Sequence, residues 1–69
     1  MDGYEEMVRT HTWKAIKKAQ DVCMDIYIAV ESDGLIGEIG AGDLIDRTRV
    51  ELIDLENRLR EHFKRKSHA

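Results

Sequence analysis

Proline is absent from these 69 residues, cysteine occurs once, and glycine is confined to Gly3 and a cluster at Gly34, Gly37, Gly40 and Gly42. A single cysteine forbids an intrachain disulfide. Cys23 stands in an apolar run without the cations that make a reactive thiolate, so it reads as a small buried hydrophobe in a reducing compartment. His11, His62 and His68 lie far from Cys23 and outside any zinc-ligand spacing, so neither a structural metal nor any cofactor is expected. Apolar runs fall far short of the roughly 20 residues a membrane span needs. The acidic opening Asp2, Glu5, Glu6 stands where a signal peptide would carry a basic region and an apolar stretch, so a cytoplasmic, soluble protein is expected.

Catalytic motifs are missing too. Ser32 and Ser67 are the only serines and neither lies in a nucleophile motif. The segment Gly34 to Gly42 lacks the lysine of a P-loop and the spacing of a dinucleotide fingerprint. An enzyme is therefore not expected.

What the chain does have is 42% hydrophobic and 36% charged residues, a composition too apolar for a disordered segment. A domain this short buries only roughly 60% of the surface its unfolded chain exposes. Disulfides, a metal or self-association usually compensate, and with the first two excluded self-association remains.

From Tyr4 to Ser32, the residues Val8, Ala15, Ile16, Ala19, Val22, Cys23, Ile26, Tyr27 and Val30 recur every three or four positions, the spacing of one helical face. After the glycines, Asp43 is placed as an N-cap, and Leu44, Ile45, Thr48, Leu52, Leu55, Leu59 and Phe63 make a second stripe, in which Ile45, Thr48, Leu52, Leu55 and Leu59 follow heptad-like steps. Lys64, Arg65 and Lys66 then suit a helix C-terminus. The expected architecture is all-α: a helix over 4–32, a Gly-rich loop over 33–42 and a helix over 43–66, closed as an antiparallel hairpin. The alternative is an α-β-β-α arrangement in which Asp25–Val30 and Leu35–Ile39 are short strands, although an isolated two-stranded hairpin is marginal.

Trp13, Met24 and Ile28 leave the first stripe on one side, and Val50 and Ile53 leave the second. A hairpin cannot cover these surplus faces by itself, so a homodimer in the form of a four-helix bundle is expected, with Ile16, Cys23, Tyr27, Ile45, Leu52, Leu55, Leu59 and Phe63 in its core. Charge is segregated: residues 21–56 hold ten of the 14 acids against Arg47 and Arg49, while bases gather near both ends of the chain. In an antiparallel hairpin the loop end is therefore acidic and the opposite end basic.

The candidate partner site is that basic end. Trp13, surrounded by Arg9, Lys14 and Lys17, is the aromatic anchor, and Arg58, Arg60 and Lys64 arrive from the second helix. Trp and Arg dominate interface hot spots, and such a patch suits another protein with an acidic surface. Nucleic acid ranks behind it, because the pI is about 5.5 and the second helix opens with two acids, Asp43 and Asp46.

A short chain opening at Met1, a single helical hairpin over Tyr4–Phe63, one cysteine and no catalytic apparatus together resemble, in profile, very small phage-encoded proteins that bind and inhibit bacterial host regulators, including anti-quorum-sensing proteins aimed at a transcriptional activator. The resemblance implies an inhibitor of a bacterial transcription regulator. No motif aligns residue by residue, so no binding residue is transferred. A small DNA-binding or nucleoid-type regulator and a structural adaptor subunit are the alternatives.

Overall fold

The structure is a computed structural model and describes residues 3–68; Asp2 of the acidic opening lies outside them. It contains three helices, α1 (Gly3–Val8), α2 (His11–Ser32) and α3 (Ala41–His68), and no strand among the described residues. Asp25–Val30 lies within α2, and Leu35–Ile39 is a series of turns. The three-and-four spacing of Val22, Cys23, Ile26, Tyr27 and Val30 thus outweighs their β propensity, because a helix buries Cys23 and half-buries Tyr27 and Val30 against α3, where a lone two-stranded hairpin is marginal.

One expectation is corrected at Thr10. The chain from Tyr4 to Ser32 is two helices rather than one. Thr10 has an extended backbone (φ −74°, ψ 150°), and its hydroxyl accepts from the Trp13 N–H at 3.0 Å while donating to the Met7 carbonyl at 2.7 Å. A single side chain therefore closes α1 and caps α2, the competition with helical bonding that Ser and Thr hydroxyls are suited to. The break lets α1 fold onto the far end of α3. Gly3 makes this possible, since a Cβ there would sit 2.6 Å from the Phe63 carbonyl oxygen. Met7 is completely buried, and Lys66 Nζ reaches Glu6 Oε1 at 3.0 Å.

The loop end follows glycine chemistry. Gly34 takes φ +70°, its N–H bonds to the Glu31 carbonyl at 3.0 Å, and the Leu35 N–H bonds to Val30 at 2.9 Å. These two bonds close α2 with a Schellman motif. Gly40, at φ +61°, immediately precedes α3. That helix starts at Ala41, so Asp43 is not its N-cap but lies in its first turn, where its carboxylate still faces the positive end of the dipole. Ala41 is drawn into the helix because it is buried beside Cys23 and Ile45.

Helices α2 and α3 pack antiparallel. Ile16, Cys23, Ile45 and Phe63 are buried as expected, Tyr27 and Val30 pack against the Cys23–Ala41–Ile45 cluster, and Leu52 and Leu59 are half-buried. Leu55 is 46% exposed in the single chain, and Glu56 occupies the buried position beside it. At about 100° per residue, Glu56 continues the Ile45, Leu52, Leu59, Phe63 line, whereas Leu55 is turned some 60° away from Leu52.

The result is a plank of 50 × 17 × 12 Å with a radius of gyration of 15.5 Å. A compact chain of this length has a radius of gyration near ~11 Å. The accessible surface of 5341 Å² exceeds by about 900 Å² what a monomer of this mass exposes on average. A single layer of helices leaves both its broad faces open.

Candidate functional site

The two broad faces differ in chemistry. On α2, Ala15, Ala19, Val22, Ile26 and Ala29 fall along one flank of the line formed by the buried Ile16 and Cys23 and the half-buried Val30. On α3, Leu44, Thr48 and Leu55 flank the same side. Between them runs a groove of about 340 Å³ with Cys23, Ile45 and Leu52 in its floor and Val22, Ile26 and Leu44 on its rims. Val22, Ile26, Leu44 and Leu55 are 46 to 59% exposed. The Cys23 thiol is buried and directed at the Ile45 carbonyl, 3.7 Å away, which agrees with a packing role.

The opposite face is polar and apolar together. A shallower hollow is lined by Gln20, Asp21, Met24, Arg49 and Ile53. Beside it lies a charge cluster centred on Glu56. Its Oε1 accepts from Lys17 Nζ at 3.0 Å and Gln20 Nε2 at 2.9 Å, and its Oε2 accepts from Arg60 at 2.9 Å. Lys17 also lies 5.7 Å from the centroid of the Trp13 ring. The Gln20 hydrogen bond and then that of Lys17 hold the Glu56 carboxyl below the usual range, against the opposing effect of burial and with further help from the Lys17 and Arg60 charges. Trp13 itself is half-buried, and its indole Nε1 is buried without a hydrogen-bond partner.

The residues expected to bind a partner therefore divide. Arg9 and Lys14 are exposed, as are Arg58, which pairs with Asp54 at 3.0 Å, and Lys64. Lys17 and Arg60 are engaged within the fold by Glu56, so their first role is to hold α2 against α3. Trp13 is half-buried rather than open. Sequence reasoning missed Gln20, and from the i,i+4 spacing it reads Glu56 only as a solvated surface partner of Arg60, whereas Glu56 is buried. The signal was an acid falling within the apolar stripe of α3, which a buried position tolerates only when it is paired and hydrogen-bonded.

Among the described residues no cluster of His, Cys, Asp or Glu is placed to hold a metal ion, and no helix is long and apolar enough to cross a membrane. Comparison with protein-family models, with curated proteins and with solved structures returns no significant match.

Proposed function

We propose that this chain is a non-catalytic protein-interaction module: it self-associates into a four-helix bundle and uses its basic end to bind, and by occupying its surface inhibit, another protein. A bacterial transcription regulator is the class of target that fits the sequence resemblance. The observation that carries the reading is the openness of a plank only 12 Å thick, with large apolar side chains exposed on both faces. Soluble monomers rarely expose contiguous apolar patches of this kind, and such patches mark protein contacts. At the basic end, Arg9, Lys14 and Arg58 are exposed and Trp13 is half-buried with Lys17 beside its ring, a mixture suited to an acidic protein surface.

Affinity capture from bacterial lysate tests the partner site. The double variant Arg9→Glu/Lys14→Glu is expected to lose the captured protein while keeping wild-type helicity, because both side chains are exposed. If capture survives this variant and is abolished by changes at Glu31, Asp33 or Glu38, the wrong pole has been assigned. Capture of nucleic acid that fades steeply with salt would favour the DNA-binding reading instead.

A further inference from the structure

We propose that the apolar groove between α2 and α3 is covered by the same groove of a second copy, stacked about a two-fold axis lying across the helices, so that α2 runs antiparallel over the partner's α2 and the two loops point to opposite ends. This arrangement rests on the self-association proposed above and specifies its face and direction.

Three observations select it. The first is area. The surplus of about 900 Å² per chain matches the ~800 Å² per partner that a stable interface removes from water. The second is the contrast between faces. The groove side is built from Ala15, Ala19, Val22, Ile26 and Leu44, whereas the opposite face carries Lys17, Asp21, Arg49, Glu56 and Arg60. Burying that face would strip water from the Lys17–Glu56–Arg60 cluster and from Asp21 and Arg49, a cost the groove side avoids. Alanines at 15, 19 and 29 leave room between the ridges formed by Val22 and Ile26, which lets another helix approach closely.

The third is charge, and it chooses between the two possible two-fold stackings. With loops together, Glu31, Asp33, Glu38, Asp43 and Asp46 of one chain would crowd the same acids of its partner. With loops opposed, each acidic loop lies over the basic Lys14, Lys18 and Arg58 region of the other chain. An axis at the groove centre, beside Val22 and Thr48, also brings Lys18 near Asp25 of the partner subunit and Arg47 near Glu51 of the partner subunit. Opposite charges in register and like charges kept apart are what fix direction in such a contact.

The test combines sedimentation with a spin-label distance. A nitroxide on Asp33→Cys, in a Cys23→Ala background that retains helicity, is expected to report about 30–40 Å between chains, since eleven residues of helix separate position 33 from the axis on each side. Loops packed together would give roughly 15 Å and overturn the stacking. In the unlabelled wild-type background, which does not depend on Cys23→Ala folding, Ile26→Glu is expected to weaken the dimer at least about a hundredfold. Ile53→Glu, on the opposite face, is expected to leave it intact. Dissociation by Ile53→Glu and not by Ile26→Glu would overturn the choice of face alone. A wild-type chain that sediments as a monomer would overturn the self-association proposed above together with this arrangement.

Discussion

Glu56 concentrates much of what holds α2 to α3. Its two oxygens collect Lys17, Gln20 and Arg60, so one buried carboxylate ties together a turn of each helix. Because its folded-state pKa lies below the usual carboxylate value, the folded protein binds this proton less readily than the unfolded chain does. Its contribution is therefore fully present above about pH 4.5 and is lost as pH falls through the depressed folded value. Glu56→Gln should remove that part of the acid dependence and lower stability near neutral pH by about 1–2 kcal/mol, a modest figure because Lys17 and Arg60 are exposed enough to regain water. The check is melting temperature against pH for wild type and variant. Parallel curves between pH 3 and 6 would show that Glu56 does not carry the effect. The sequence hinted at this residue through its i,i+4 spacing with Arg60. It did not reveal Lys17 and Gln20 as partners, because pairing across 39 and 36 positions depends on the register of two helices.

At the scale of elements, the two long helices and the intervening glycines were legible because periodicity and punctuation are local signals. Ile16, Cys23, Ile45 and Phe63 were recognisable as core for the same reason. The break at Thr10 was not, since it depends on α1 finding a docking place on α3, a contact between residues some sixty positions apart. Asp43 was misplaced as a cap because Ala41 is pulled into the helix by burial, which local capping preference does not register. Gly3 is the hinge of this argument. Gly3→Ala should force apart two backbones, because the added Cβ meets the Phe63 carbonyl and no side chain can yield. We expect a loss of about 1–3 kcal/mol, typical of overpacking, with α1 released while α2 and α3 stay helical. Site-resolved oxidation by peroxide reports this release, since Met7 is completely buried in the docked state. Unchanged protection of Met7 in the variant would refute the close approach.

For the molecule as a whole, the question is whether one layer of helices is stable without a second. A chain of 69 residues has little core to begin with, and here Val22, Ile26, Leu44 and Leu55 remain 46 to 59% exposed in the isolated hairpin. Self-association that buries such residues couples folding to assembly, and the melting temperature then depends on protein concentration. The size of the dependence can be estimated. Tenfold dilution changes the free energy of a dimer by about 1.4 kcal/mol, and two chains of this length unfold with an entropy near ~290 cal/mol/K, so the midpoint should fall by roughly 5 °C per decade of concentration. Circular dichroism or fluorescence of Trp13 followed from about 5 to 500 µM covers two decades and should show a shift of roughly 10 °C. A midpoint that does not move over that range, with helicity retained at the lowest concentration, would mean that the α1-buttressed hairpin is a stable monomer, and its open apolar face would then have to be assigned to a different protein.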